Sequence, residues 1–263
     1  MKNYFSLVLF TYLSQAAIGM VFVREFLIIS GNISRGSRSV LNSYHIISLL
    51  LIISLLAAFF HLGRPQNAIH AVRNITSSPL SMEIASMSML IFFALLGSIS
   101  MIYSMPRFVT TPLPSLMVIA SFLLLVTMTM VYLLPAVPAW NRPFTPLVFT
   151  FTALSAGTAI MSLLMFHHDT AISLRLIAIS SLALLIMAVA YITRLSWGEP
   201  RLLGITLIIS LLTVVALTAF ILTVRSSDMN KSFRLVVISA VAIISSGLIA
   251  RIVFFLSYDN TVL

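Results

Sequence analysis

A polar stretch at residues 61–85, HLGRPQNAIHAVRNITSSPLSMEIA, separates two apolar runs and holds side chains that can move protons. His61 ends the first run, and Glu83 lies one turn inside the second. A histidine titrates near neutral pH and a carboxylate can accept protons, so the pair predicts a proton-accepting site if the two side chains meet. Structural alternatives stay open: Glu83 could complement the dipole of a helix N-terminus, and His61 could bond a loop carbonyl.

Three further polar residues could belong to the same site. Arg64 follows His61 and would either orient Glu83 or extend to lipid headgroups. Arg251 lies inside the last apolar run, where a lone arginine either faces other helices and finds a partner or extends to the interface. Gln15, in the first run, could bond a neighbouring helix or a ligand.

The sequence argues against a metal or haem centre within this chain. It contains no cysteine, which excludes thiolate-ligated iron–sulfur clusters and cysteine-based zinc sites. The neighbouring His167, His168 and Asp169 do not share one helix face, so a solvated loop is expected there. A membrane haem b needs two histidines that project into a bundle core. The histidines all fall at the ends of apolar runs or in connectors, which disfavours haem: His45, His61, His70, His167 and His168.

The elements that position these residues are predicted to be membrane-spanning helices. Hydrophobic residues make up 60% of the 263 residues and charged residues only 8%, against about 25% charged in soluble domains. Eight apolar runs are each about 20 residues long, enough to cross a bilayer, and none alternates as barrel strands do. The sequence therefore predicts an all-α integral membrane protein, a single polytopic domain over residues 1–263 with spans at about 4–24, 43–60, 80–103, 115–134, 146–166, 175–195, 202–224 and 235–257.

The net charge of +9 does not indicate nucleic-acid binding. The 15 basic residues are scattered singly at the ends of apolar runs, as lysine and arginine are at a bilayer interface. Three arginines follow the first span, Arg24, Arg35 and Arg38, against Lys2 before it. The positive-inside rule then places both termini and the 61–80 connector on the outer face. The apolar start is longer than a cleaved signal sequence, so the first helix is expected to be retained.

The connector between the second and third spans is short, so these spans are expected to be neighbours. Ser78 is a candidate N-cap and Pro79 a candidate first residue of the third helix, because the N–H that proline lacks is unbonded there. Glu83 then lies near the helix N-terminus, at the same membrane depth as His61 at the end of the second span. A pocket between these two helix ends is the predicted site.

Three segments, in order, resemble one family, the DmsC membrane anchor subunits of dimethyl sulfoxide reductase. The segment at 61–85 is similar to that family's His-Leu-Gly-x-Pro-x-x-Ala … Ser-x-Leu-Ser-x-Glu-Ile pattern. VYLLPAVPAWNRPFTPLVFT, at 131–150, looks like its Val-Pro-x-Trp … Thr-Pro region, and FTYLSQAAIG, at 10–19, looks like its Phe-Thr-x-x-x-Gln-x-x-x-Gly opening. The eight spans also fit, so the resemblance covers nearly the whole chain.

The resemblance implies a haem-free subunit that oxidises menaquinol for an anaerobic respiratory complex in the bacterial inner membrane. It implies two partners, a molybdopterin catalytic subunit and an iron–sulfur subunit that receives the electrons, and no metal or haem bound by this chain. By position, His61 and Glu83 correspond to the family's histidine and glutamate of the quinol site, near the outer ends of the second and third helices. Gln15, Arg64 and Arg251 complete the expected pocket.

The C-terminal segment SSGLIARIVFFLSYD departs from this resemblance. The family tends to show Gly-Glu-x-x-x-Arg before Val-Phe-Tyr, whereas Gly247 stands where the acid is expected and Phe255 where the tyrosine is expected. Arg251 is kept. A purely structural anchor with a degenerate quinol site therefore stays open, as do a haem b-containing anchor and an eight-helix transporter. A transporter would need broken spans and a polar midplane site, whereas the prolines here lie in connectors.

Overall fold

The computed structural model describes residues 4–60, 74–75, 77–103, 105–138, 140–195 and 203–256. The helices within these residues are α1 (Tyr4–Ile29), α2 (Arg38–Phe59), α3 (Pro79–Ile102), α4 (Arg107–Thr110), α5 (Leu113–Tyr132), α6 (Phe144–Met165), α7 (Thr170–Leu195), α8 (Leu203–Val224) and α9 (Met229–Leu256). Eight helical stretches of these described residues are long and apolar enough to cross a membrane. This confirms the predicted all-helical architecture with eight spans, whereas the single-domain organisation over 1–263 stays a prediction.

Several helices extend beyond the predicted apolar spans. Helix α1 continues to Ile29 instead of ending at 24, and α2 begins at Arg38 instead of 43. The hydroxyl of Ser37 caps α2 by accepting a hydrogen bond from the backbone N–H of Val40 at 3.4 Å. The spans read from hydropathy were too short because backbone hydrogen bonds continue a helix through polar residues at the bilayer surface.

Helix α1 lies at the centre of the bundle, where it packs against α2, α5, α6 and α9. Within the bundle 72% of its apolar stretch is buried, against 28% for the peripheral α8. One core cluster draws mainly on α1, α2, α3 and α5, and a second draws on α6 to α9. Large side chains such as Phe92, Phe122 and Leu211 point outward, as lipid-facing residues do.

Buried serines join the first three helices. Ser14 Oγ on α1 lies 2.6 Å from Ser54 Oγ on α2, and Ser48 Oγ on α2 lies 2.9 Å from Ser98 Oγ on α3. These pairs align successive helices antiparallel and confirm that the second and third spans are neighbours. The end of the bundle at which α1 begins is called the amino-terminal face; α2 ends, α3 begins and α9 ends there. The other end is called the opposite face.

Helices α1 and α6 cross with their backbones in contact. A Cβ atom added at Gly19 would lie 1.8 Å from the carbonyl oxygen of Ala153. One added at Gly157 would lie 2.3 Å from the carbonyl carbon of Gly19. Small residues are what permits such close approach between membrane helices. The crossing fixes the position of α1, the helix that carries Gln15.

Candidate functional site

Three of the five predicted site residues lie in the described residues, and two of them, Glu83 and Arg251, are near the amino-terminal face. Gln15 is on α1, Glu83 is in the first turns of α3, and Arg251 is near the end of α9. His61 and Arg64 lie outside the described residues. The described part of the predicted site therefore consists of Gln15, Glu83 and Arg251.

Glu83 is a buried acid at the start of α3. The helix begins as predicted: the Ser81 backbone N–H donates to Ser78 Oγ at 3.4 Å, and Pro79 takes the first helical position. Glu83 follows in the next turn, with only 3% of its surface exposed. Its Oε1 atom is buried and has no hydrogen-bond partner among the described residues. An unsatisfied buried acceptor is costly, so a hydroxyl or N–H donor that reached this atom would be stabilised.

Arg251 is fully buried and bonded to α1. Its Nη2 donates to Oε1 of Gln15, which is also fully buried. The guanidinium carbon lies 4.0 Å from the centre of the Phe149 ring, and Gln15 Nε2 donates to Met128 Sδ at 3.5 Å. Arg251 therefore faces the bundle interior, and the alternative that it extends to the interface is wrong. Long helical side chains lean toward the N-terminus of their helix, so those of antiparallel α1 and α9 point toward each other.

Tyr12 packs against the small residue that marks the C-terminal departure. Its hydroxyl donates to the backbone oxygen of Ile244 at 2.6 Å. A Cβ atom added at Gly247 would lie 3.1 Å from that hydroxyl oxygen. The tyrosine ring thus fills the space into which a larger side chain at position 247 would point. The glycine and the tyrosine fit each other, which gives the departure a structural basis.

Aromatic rings surround Arg251 toward the amino-terminal face. Trp140 stacks on Phe254, with ring centres 5.5 Å apart, and its Nε1 donates to the Phe254 backbone oxygen at 2.9 Å. The full cluster consists of Tyr132, Trp140, Phe149, Phe254 and Phe255. Tyr132 contacts Phe149 and Phe254, the two rings that lie against the Arg251 guanidinium. The cluster therefore covers the buried Arg251 with aromatic rings.

Glu83, Arg251 and the aromatic cluster differ in what each can do chemically. The Glu83 carboxylate can accept a hydrogen bond or a proton, whereas the Arg251 guanidinium stays protonated and stabilises negative charge nearby. Aromatic side chains favour contact with another aromatic ring. The described residues near the amino-terminal face therefore include a hydrogen-bond acceptor, a fixed positive charge and aromatic surfaces.

The described residues offer no evident ligands for a metal or a haem. They contain no cluster of three His, Cys, Asp or Glu side chains that could bind a metal ion. The described histidines, His45, His167 and His168, are exposed, whereas haem ligands would point into the bundle. Asp169 caps α7, because its Oδ1 accepts a hydrogen bond from the Ile172 backbone N–H at 3.0 Å.

A second buried charge cluster, at the opposite face, was missed from the sequence. Arg24 is fully buried and Glu25 is 4% exposed. Arg24 Nε donates to Glu25 Oε1 at 2.8 Å, and Glu25 Oε2 lies 3.4 Å from Arg35 Nη1. The Arg24 guanidinium also lies 4.0 Å from the centre of the Tyr44 ring. The prediction that Arg24 lies in the connector after the first span was wrong. The sequence signal for its burial was an adjacent pair of opposite charges followed by the apolar residues FLII, which continue α1.

Comparisons with known proteins converge on one group. A family model described as DMSO reductase anchor subunit (DmsC) matches residues 1–196. The C subunit of the anaerobic dimethyl sulfoxide reductase of Escherichia coli (strain K12) is 30% identical over 165 residues, which are 60% of this protein and 56% of the relative. The C subunit of the same enzyme from Haemophilus influenzae (strain Rd) is 27% identical over 154 residues, 57% of this protein and 54% of the relative. The matched part thus spans little more than half the length of either relative.

Proposed function

The chain belongs to the DMSO reductase anchor subunit (DmsC) family, and from this membership we propose that it anchors a DMSO reductase-type complex in the membrane and oxidises menaquinol. The partners in this proposal are an iron–sulfur subunit, which receives the electrons, and a molybdopterin catalytic subunit. The protein is then the electron-entry subunit of an oxidoreductase. Its own reaction is the conversion of a quinol to a quinone.

The electrons and protons of this reaction leave by different routes. Oxidation of one quinol releases two electrons and two protons. The protein has no cysteine with which to hold an iron–sulfur cluster, so the electrons pass to the iron–sulfur partner. The protons are accepted by side chains of this subunit and released to water at the amino-terminal face.

The observation that carries the proposal is the Glu83 carboxylate. Its Oε1 is buried at the amino-terminal end of α3 without a partner among the described residues, and a quinol hydroxyl is the kind of donor that it lacks. We assign to Oε1 the hydrogen bond from one quinol hydroxyl and the acceptance of that proton. With only 3% of its surface exposed, the Glu83 side chain is shielded from water that would compete for the bond.

The remaining pocket residues have supporting roles in this proposal. His61 follows the end of α2 at Phe59 and is assigned the second quinol hydroxyl on the strength of the sequence resemblance. Arg64 is assigned to orient Glu83 because it follows His61 in the sequence. The Arg251–Gln15 pair holds a fixed positive charge beside the Phe149 ring, and a positive charge near a bound quinol favours loss of its proton.

The location of the complex is part of the proposal. The apolar helices make the subunit a multi-pass membrane protein, and we place it in the inner membrane of a bacterium. The amino-terminal face, with both termini, is then the outer, periplasmic face, and the opposite face is cytoplasmic. The quinol headgroup thus meets water on the outer side while its isoprenoid tail stays in the bilayer.

The test is quinol oxidation by the complex, purified with its native partners and reconstituted in nanodiscs. A reduced short-chain naphthoquinol serves as donor and dimethyl sulfoxide as acceptor, with quinone formation followed optically under anaerobic conditions. Glu83→Gln removes the base while keeping the shape of the side chain. We expect turnover to fall by at least about 100-fold, the usual contribution of a positioned base.

The matched control is Asp228→Asn, which removes an exposed carboxylate at the opposite face and keeps the oxygen that accepts from the Asn230 backbone N–H. It should oxidise naphthoquinol at the native rate. Unchanged naphthoquinol affinity in both His61→Ala and Glu83→Ala would contradict the site assignment. Haem b bands in the visible spectrum of the purified protein would instead favour a haem-bearing anchor.

A further inference from the structure

A partly open cavity of about 390 Å³ lies at the opposite face, where the ends of α1, α2, α3 and α5 meet. Hydrogen-bond donors line one part of it. They are the side chains of Arg35, Tyr44, Ser100, Thr110 and Thr111. Apolar side chains line the rest, among them Ile28 and Leu113. A cavity with this mixed lining suits a ligand that has one polar and one apolar part.

The charges beside the cavity favour an anion. Arg24 and Arg35 share the single carboxylate of Glu25, one arginine on each oxygen, so the three side chains carry one excess positive charge. Arg24 Nη1 is buried and has no hydrogen-bond partner among the described residues. Tyr44 connects the arginine cluster to the cavity, because its ring centre lies 4.0 Å from the Arg24 guanidinium and its side chain also lines the cavity.

The start of α5 adds to this positive potential. Its first residues, Leu113 and Pro114, line the cavity, and the helix start at Pro112 has no cap from a side-chain hydrogen bond. Because Pro112 and Pro114 have no N–H group, the helix start acts mainly through its dipole, which favours an anion nearby. Two independent features, a buried arginine cluster and an uncapped helix start, therefore act on the same space.

We propose that this cavity binds the phosphate group of an anionic phospholipid, with Arg35 and the threonine hydroxyls as donors. A free phosphate ion would use the same donors, but the apolar surroundings favour a lipid. Tyr103 and Phe108, 66% and 80% exposed, lie on either side of the short connector that leads to Thr110. In this proposal the two exposed rings contact an acyl chain or the glycerol backbone of the lipid. Basic pockets at the ends of membrane helices are known sites for such headgroups.

The proposal is independent of quinol oxidation, because the cavity and Glu83 lie at opposite ends of the bundle. The test uses the purified, delipidated complex in detergent. Dihexanoyl phosphatidylglycerol, dihexanoyl phosphatidylcholine and inorganic phosphate are titrated separately, and bound molecules are counted by native mass spectrometry. We expect saturable binding of phosphatidylglycerol to one site that phosphatidylcholine and inorganic phosphate occupy at least about fivefold more weakly.

Two exposed arginines give a matched pair of variants. Arg35→Gln removes a cavity donor and should weaken phosphatidylglycerol binding about fivefold, whereas Arg38→Gln, three residues away and outside the cavity lining, should leave it unchanged. Thr110→Val with Thr111→Val keeps every charge and should weaken binding about threefold. This second variant tests the site even if Arg35→Gln fails to fold.

Three outcomes would overturn the proposal. Equal weakening by Arg35→Gln and Arg38→Gln would mean that general surface charge attracts the lipid. Equal affinity for the two lipids would remove the role of the anionic headgroup. Inorganic phosphate binding as tightly as phosphatidylglycerol would identify a free-phosphate site.

Discussion

The two ends of the bundle each bury an arginine, but the two arginines bond different kinds of partner. Arg24 and Arg251 are both fully buried, and each guanidinium lies 4.0 Å from the centre of an aromatic ring. At the opposite face Arg24 bonds the carboxylate of its sequence neighbour Glu25. At the amino-terminal face Arg251 bonds the neutral amide of Gln15, and Glu83 remains with an unpartnered oxygen among the described residues.

This difference distinguishes a buried carboxylate that is bonded within the fold from one that can still bind a ligand. Each of the two oxygens of Glu25 bonds an arginine, Arg24 or Arg35, so the acid has little capacity left for a ligand. Glu83 has such capacity, at a cost in desolvation that no described donor offsets. A buried acid that stabilises the fold and a buried acid that binds a substrate are thus distinguished by their partners, because their exposure is nearly the same.

The largest expected effect comes from the crossing that holds both ends in place. Gly19→Ala puts a methyl group 1.8 Å from the Ala153 carbonyl oxygen, so α1 must separate from α6. We expect a cost of more than about 5 kcal/mol, beyond ordinary overpacking, and no recoverable folded complex after detergent extraction. Gly204→Ala is the control, since a methyl group there meets nothing within 4 Å. Similar yields and melting temperatures for the two variants would show that α1 and α6 do not need this contact.

The second-largest expected loss of stability comes from breaking the buried ion pair at the opposite face. Arg24→Met keeps the length of the side chain but leaves Glu25 buried with only Arg35, 3.4 Å away. Breaking a buried ion pair on one side costs about 3–5 kcal/mol, which a thermal melt of the complex would register. Adding Glu25→Gln to Arg24→Met should restore most of the loss. If the double variant melts no higher than the single one, the cluster stabilises the bundle by packing and not by charge.

The smallest expected loss of stability comes from Glu83→Gln, and comparing it with Glu25→Gln tests the difference between the two acids. Glu83→Gln should change the free energy of unfolding by less than about 1 kcal/mol, because no described hydrogen bond is lost and a buried charge is removed. The same change at the other end, Glu25→Gln, weakens two ion pairs and should cost about 3 kcal/mol. Thermal melts of the two variants give the comparison. A Glu83→Gln variant as unstable as Glu25→Gln would make Glu83 a structural acid.

Much of the fold follows from hydropathy alone. All eight spans were predicted, and the start of α3 was placed within one residue because Ser78 and Pro79 are specific signals. The end of α1 was misplaced because a charge was taken to mark the bilayer surface. That inference fails where an arginine and a glutamate lie side by side and neutralise each other in the interior. A hydropathy scale scores each residue separately and does not account for two opposite charges that bond each other.

The site was only partly predictable. Gln15 and Arg251 were both selected as buried polar residues, but their direct bond joins positions 236 apart in sequence and depends on how α1 packs on α9. The fit of Tyr12 to Gly247 has the same origin: the sequence shows a missing acid, and only packing shows what takes up its space. The roles of His61 and Glu83 as quinol ligands stay predictions.

The Gly19–Gly157 contact lies between two polar residues of α1 that bond the buried charges at the two ends of the bundle. Gln15 lies on one side of this contact and Arg24 on the other, along the same rigid helix. The two buried arginine sites are therefore positioned by one contact between helix backbones. A change of register at Gly19 would displace Gln15 and Arg24 together and disturb the partners of Arg251 and Glu25 at the same time.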